Sequence, residues 1–179
     1  MNKQTAITND WEKFSRYFER QEVPAKTTLL QEGKISRTMF FIEKGCLRTW
    51  VDNDGKEITT QFFFEGDSVS SIESFRTNQP SLYSIESLEP CILQTISRKD
   101  FLKIIENTPE LKKALEERLF SRFLQSRQLF YSFLKNNPQK RYEELLERHP
   151  HIARRVPQHY IASYLGITSV SLSRIRNRL

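Results

Sequence analysis

Four glycines set the pitch of the first half of the chain. Gly33, Gly45, Gly55 and Gly66 fall at intervals of 12, 10 and 11 residues. Between them lie short runs of β-forming residues: Met39-Phe40-Phe41-Ile42, Leu47-Arg48-Thr49-Trp50-Val51 and Ile58-Thr59-Thr60-Gln61-Phe62-Phe63-Phe64. Short strands punctuated by turn signals about every 8–12 residues fold as antiparallel sandwiches or barrels. Asn53-Asp54-Gly55 is the strongest of these turns, because all three residues tolerate the positive φ of a tight hairpin. Further strands are expected around Tyr83-Ser84-Ile85 and Cys91-Ile92-Leu93-Gln94-Thr95-Ile96, and a short helix from about Trp11 to Phe18 before the sheet. With 13 Phe and 6 Tyr, the chain carries enough apolar bulk for a packed core.

At Ser97 the period changes from two to that of a helix. Ser97 can cap a helix running from about Arg98 to Glu106. Thr108-Pro109-Glu110 then starts another, with a capping hydroxyl, a proline in the first turn and an acid at the positive end of the dipole. No helix breaker follows until Asn136-Asn137-Pro138, which predicts about 26 helical residues, or roughly 40 Å at 1.5 Å per residue. Leu111, Leu115, Leu119, Phe123 and Phe130 mark one apolar stripe, which Ala114, Phe120, Leu124, Phe133 and Leu134 widen. So broad a face on so long a helix predicts a seam between two copies of the chain, over residues 109–135. Asn137-Pro138 opens a further helix to about Arg148, which His149-Pro150 ends.

Residues 158–177 read Gln-His-Tyr-Ile-Ala-Ser-Tyr-Leu-Gly-Ile-Thr-Ser-Val-Ser-Leu-Ser-Arg-Ile-Arg-Asn. A helix-turn-helix needs a small residue where its helices cross, and Ala162 stands there. Its turn needs positive φ, which Gly166 supplies. Ile161, Leu165, Leu172 and Ile175 are the apolar knobs that lock the pair. Thr168 caps the second helix, whose outward face is polar and cationic. The charge agrees: residues 1–137 hold 20 Lys/Arg against 19 Asp/Glu, whereas residues 138–179 hold 8 against 3. Most of the net charge of +6 thus sits in under a quarter of the chain, as expected of a nucleic-acid-binding module.

With these elements in place, the chain resembles the Crp/Fnr transcription regulators from about residue 10 to 179. Phe40-Phe41-Ile42-Glu43-Lys44-Gly45-Cys46-Leu47-Arg48 is similar to the family's strand-and-glycine signature. Asp54-Gly55-Lys56-Glu57 resembles its hairpin, and Phe64-Glu65-Gly66-Asp67 the mouth of its ligand pocket. The resemblance implies an α+β fold. An N-terminal antiparallel β-roll of the double-stranded β-helix or jelly-roll type is expected over residues 1–107. A long dimerisation helix follows over 108–136, and a helical helix-turn-helix domain over 137–179, winged-helix-like with the wing reduced or missing. It implies double-stranded DNA, a second copy of the chain and RNA polymerase as partners. It also implies that Ser169, Val170, Ser173 and Arg174 face the bases. Thr168, Ser171, Arg176 and Arg178 are expected at phosphates or as solvated charges.

The family's cyclic-nucleotide pocket carries Gly-Glu soon after Gly-Asp, the Glu holding the ribose, and about ten residues later an Arg that holds the cyclic phosphate. Here Ser70-Ser71 stands in the Gly-Glu place and Glu73 arrives two residues late. The phosphate segment reads Pro80-Ser81-Leu82-Tyr83-Ser84, with no Arg; Arg76 lies in the loop before it. Losing a charge-assisted phosphate contact costs on the order of 1.5–3 kcal/mol. Cyclic AMP in the usual mode is therefore not expected. Two outcomes remain: another small effector lined by Ser70, Ser71, Glu73, Ser81, Tyr83 and Ser84, or a vestigial pocket whose serines are ordinary strand and turn residues.

Other classes find little support. All three histidines, His149, His151 and His159, follow the β-rich half, and no Cys/His pair has ligand spacing. Cys46 and Cys91 sit alone in apolar runs, as buried thiols do. Neither a Gly-rich phosphate loop nor a nucleophile elbow occurs. No catalytic residue, metal site or cofactor is therefore expected. No apolar run approaches the roughly 20 residues of a membrane span, and Met1 to Asp10 is polar, which points to a cytoplasmic protein. The rival reading is a ligand-binding or protein-interaction module whose helix-turn-helix does not meet DNA.

Overall fold

The structure, a computed structural model, describes Trp11 and residues 13–178. Part of the helix expected from Trp11 to Phe18 falls outside the described residues; Ser15–Tyr17 forms one 3-10 turn. Eight strands follow: β1 (Glu19–Val23), β2 (Thr28–Leu30), β3 (Thr38–Lys44), β4 (Leu47–Asn53), β5 (Lys56–Phe63), β6 (Ser68–Val69), β7 (Ser84–Ser87) and β8 (Cys91–Ser97). They form two four-stranded antiparallel sheets, in the orders β1-β8-β3-β6 and β2-β7-β4-β5. Sequence neighbours thus lie in opposite sheets, except in the β4–β5 hairpin, where Asn53 pairs with Lys56 across the Asp54-Gly55 turn.

Between the sheets lies a core of Val23, Leu30, Phe40, Ile42, Leu47, Phe63, Val69, Ile85 and Leu93. Its position follows from strand alternation, which sends every second side chain inward. Gly45 lets β3 and β4 turn tightly beside β8: a Cβ there would come 2.5 Å from the Cys91 Sγ, and its φ is +107°. Cys46 and Cys91 are both buried and unbridged.

Seven helices complete the described chain. A short α1 (Ile72–Thr77) interrupts the roll after β6, where no helix was expected. The helix α2 (Arg98–Glu106) is capped by Ser97, whose hydroxyl accepts from the Asp100 amide. The long helix α3 (Pro109–Lys135) spans 27 residues. It is followed by α4 (Pro138–Arg148), α5 (Pro150–Arg155), α6 (Gln158–Tyr164) and α7 (Ser169–Arg176). The α+β class matches the sequence reading. His149-Pro150 ends α4 as expected, but Pro150 also opens α5, because proline suits the first helical turn.

The roll and the C-terminal helices share a core. Cys46, Phe62 and Phe64 pack in one cluster with Tyr142, Leu145, Ile152, Val156, Ile161, Leu165, Leu172 and Ile175. Polar contacts run alongside it. Ser163 Oγ accepts from the Thr59 amide at 2.9 Å and donates to the Glu57 carbonyl at 2.9 Å. The Arg155 guanidinium spans Glu65 and Glu89, with 2.7 Å to Glu65. Arg48, only 1% exposed, pairs with Glu57 and Glu86 and lies 4.0 Å from the centre of the Tyr160 ring.

Candidate nucleic-acid interface and effector pocket

The pair α6–α7 is built by its own sequence. Ala162 is 1% exposed. Gly166 turns the chain with φ +66°, and a Cβ there would stand 3.0 Å from the Phe133 ring. Ile161, Leu165, Leu172 and Ile175 are buried. Thr168 caps α7, accepting from the Ser171 amide at 3.1 Å, while the Thr168 and Ser171 hydroxyls bond each other at 2.9 Å. Those two residues hold the helix start before they can meet anything else.

With Leu172 and Ile175 turned inward, Ser169, Val170, Ser173 and Arg174 are left exposed on the other face of α7. Val170 is 61% exposed, which is unusual for a β-branched apolar residue with neighbours able to cover it. Arg176 and Arg178 are exposed too, and no salt bridge among the described residues involves Arg174, Arg176 or Arg178. The result is an exposed face with one apolar contact point, two small hydroxyls and three cations in no ion pair among the described residues. Such a surface offers what base edges and phosphates require.

The residues considered for an effector are placed differently. The Ser70 hydroxyl donates to the Thr38 carbonyl at 3.0 Å and meets the Ser36 hydroxyl at 2.8 Å. Ser81 donates to the Tyr83 carbonyl at 2.7 Å. Tyr83 donates its phenol to the Ser70 carbonyl at 3.0 Å, and burial pushes that phenol's pKa up. Ser84 accepts from the Glu32 amide at 2.9 Å. Only the Ser71 hydroxyl is buried without a partner. Glu73 is exposed on α1. Four of these hydroxyls are thus committed to the protein, and the Ser81–Ser84 segment supplies no cation.

Cations that the sequence analysis did not consider do reach this region, from α3. Arg118 pairs with Asp67 at 2.6 Å and donates to the Gly66 carbonyl at 3.0 Å. Arg122 donates to the Ser68 carbonyl at 2.7 Å, lies 3.6 Å from Asp67 and stacks on Phe63. Both fasten the long helix to the roll, although the Arg118 Nε is buried without a partner. Their spacing of four places them on one helical face, which was the available signal. Among the described residues, no cluster of His, Cys, Asp and Glu could hold a metal ion, and no helix is long and apolar enough to cross a membrane.

A roll followed by a long helix and a helix-turn-helix has counterparts among known proteins. Residues 20–108 match the family described as cyclic nucleotide-binding domain. The "cAMP-activated global transcriptional regulator CRP" of Salmonella typhimurium is 26% identical over 120 residues, which cover 66% of this chain and 56% of that protein. The chain thus spans about half the length of that relative. In fold it is similar to FixK2 of Bradyrhizobium japonicum, with TM-score 0.78 and 14% identity over 90% of this chain and 84% of that one. It is also similar to the "c-di-GMP Responsive Global Regulator CLP" of Xanthomonas campestris, with TM-score 0.77 and 17% identity over 96% and 90%. Residues 20–108 thus match a cyclic nucleotide-binding domain, and most of the chain shares the fold of FixK2 and CLP.

Proposed function

We propose that the chain is a sequence-specific, DNA-binding transcription regulator that acts as a homodimer and is not an enzyme. The exposed face of α7 carries this reading. A helix locked by Leu172 and Ile175 presents Ser169, Val170, Ser173 and Arg174 to the outside, with Arg176 and Arg178 beside them. Arg174 reads a guanine through a bidentate contact, and Val170 packs on a thymine methyl. Thr168 and Ser171 start the helix, and the later arginines meet phosphates.

The exposed flank of α3 supplies the second copy. Phe120, Phe123, Phe130 and Leu134 are each more than half exposed, and Leu124 nearly so, a patch that soluble monomers rarely leave in water. Pairing along residues 109–135 puts two α7 helices about 34 Å apart, one turn of duplex, on a near-palindromic site. The working division is a sensor roll over 1–107, a dimer helix over 108–136 and a DNA-binding segment over 137–179. RNA polymerase is the expected further partner and the cytoplasm the expected compartment. The roll does not take cyclic AMP in the usual way, since four of its hydroxyls are occupied and the Ser81–Ser84 segment brings no cation to a buried phosphate.

The test is binding to a library of duplex DNA at several salt concentrations. Counterion release predicts an affinity falling steeply with salt, with a log–log slope of about −0.9 per phosphate contacted. Selection should return inverted repeats. Salt-independent or absent binding to duplex DNA overturns the reading.

A further inference from the structure

A second polar space lies away from the roll's interior, in the seam where three parts of the chain meet. It is a cavity of about 260 Å³. One wall is β5 and the turn after it, with Phe62, Phe64 and Asp67. The second is the middle of α3, with Arg122, Gln125 and Gln128. The third is the DNA-binding segment, with Arg141, Arg148, His149, His151 and Tyr164.

Its charges do not cancel. Asp67 is already matched by Arg118 at 2.6 Å. Glu144 accepts from Ser132 and from Asn136, both neutral. Arg141 spends its guanidinium on two carbonyls, those of Asn136 and Leu165, at 2.9 Å each, and its buried Nε has no partner. Arg148 is exposed and bonds only the neutral Gln128 amide oxygen, at 3.0 Å. Two guanidinium groups without an ion-pair partner, Arg141 and Arg148, thus stand against a single unpaired carboxylate, that of Glu144, and the balance is positive. Burial above all, with Arg148 near His149 and Arg155 near His151, holds the pKa of both imidazoles below the ordinary value. Phe62, Phe64 and Tyr164 supply its apolar lining, with the Phe62 and Tyr164 rings 5.2 Å apart.

We propose that this seam cavity binds a small phosphorylated metabolite, its phosphate at the Arg148–His149–His151 corner and its body against Phe62 and Tyr164. Guanidinium and phosphate match as a planar donor fork and a tetrahedral set of acceptors. The space suits a molecule no larger than a mononucleotide. Such a ligand touches the roll, the long helix and the DNA-binding segment at once, so it ties the orientation of α7 to the metabolite's concentration. The inference does not depend on DNA binding, and its test uses no DNA.

Only three histidines occur in the chain, so the imidazole signals can be followed one by one by NMR. Adenosine monophosphate is the probe, with inorganic phosphate and succinate as the other arms. The expected result is a saturable shift of His149 and His151 at sub-millimolar nucleotide, with their pKa values rising while His159 stays put. Arg148→Gln removes one side chain that is already exposed, and should weaken the nucleotide by about tenfold to a hundredfold. A normal thermal unfolding curve for that variant shows that any lost affinity is local. The inference is overturned by unsaturated shifts up to several millimolar, by equal shifts at His159, or by unchanged affinity in Arg148→Gln. It is equally overturned if inorganic phosphate or succinate reproduces the shifts at the same concentration as the nucleotide.

Discussion

Two surfaces of this molecule are built to be covered, and they differ in kind. The seam between the roll and the C-terminal helices rings an apolar core with directional polar contacts. Arg48 sits under Tyr160 between two glutamates, Ser163 bonds both ways to β5, and Arg155 bridges Glu65 and Glu89. The outer flank of α3 is apolar and bare, from Phe120 to Leu134. Directional contacts fix one geometry between parts of a single chain. A greasy stripe fixes a stoichiometry and leaves geometry to helix packing. Each surface serves a different joint.

The largest effect expected is at Arg48. Arg48→Ala leaves Glu86, only 8% exposed, without its cation, and breaking a buried pair from one side costs about 3–5 kcal/mol. Urea unfolding should show it, and Arg48→Met combined with Glu86→Gln should recover most of the loss. If the single and double variants are equally destabilised, the ions themselves are not what holds the seam. Next comes the stripe. Phe123→Glu with Leu124→Glu should turn a dimer into a monomer in light scattering at micromolar concentration. Each chain's own stability should change by less than about 0.5 kcal/mol, as for exposed positions. Unfolding of the monomer would mean instead that the stripe packs within its own chain.

Gly166 joins the two surfaces, because its turn rests on Phe133 of α3. Gly166→Ala forces a left-handed conformation on a residue with a Cβ and presses that Cβ toward the Phe133 ring at 3.0 Å. A loss of about 1–2 kcal/mol in thermal unfolding, with weakened binding to duplex DNA, is expected. The smallest effect is at Arg155, whose side chain and partners are a third or more exposed and therefore screened. Arg155→Ala should cost about 1 kcal/mol or less. Its pH dependence is more telling. The hydrogen bond from Arg155 holds the Glu65 carboxyl at about 2, below an ordinary value of 4.5. The stabilisation is therefore full above pH about 4.5 and fades as pH falls toward 2. A pH titration of stability in which wild type and Arg155→Ala lose stability in parallel through that window would show the pair contributes nothing.

What the sequence disclosed was local. Gly166, Thr168 and the knobs from Ile161 to Ile175 lie within one short stretch, and each is demanded by the geometry of the turn. The strands of the roll were legible from glycine spacing and alternation. By contrast, Ser163 meets Glu57 and Thr59, and Arg155 meets Glu65 and Glu89, across many tens of residues, with no periodicity to announce them. The helix α1 was missed because six residues hold too little of a helical period to read, and α5 because Pro150 was taken only as a stop. The serines around Ser70 and Ser81 illustrate a different limit. Their identity shows what they can bond, but only the packed roll reveals that Thr38, Tyr83 and Glu32 had already engaged them.

One further consequence lies in the joint between α3 and α4. Lys135 ends one helix and Pro138 begins the next, so only Asn136 and Asn137 connect them. Two residues reach at most about 7 Å. The C-terminal segment is thus on a leash too short to drift from the end of the long helix, and once loosened it can swing but not leave. Such tethering keeps a detached partner at an effective concentration in the millimolar range or above. The seam can therefore be made of individually weak contacts and still close reliably. Lengthening the Asn136-Asn137 joint with glycines would dilute that advantage without touching a single contact.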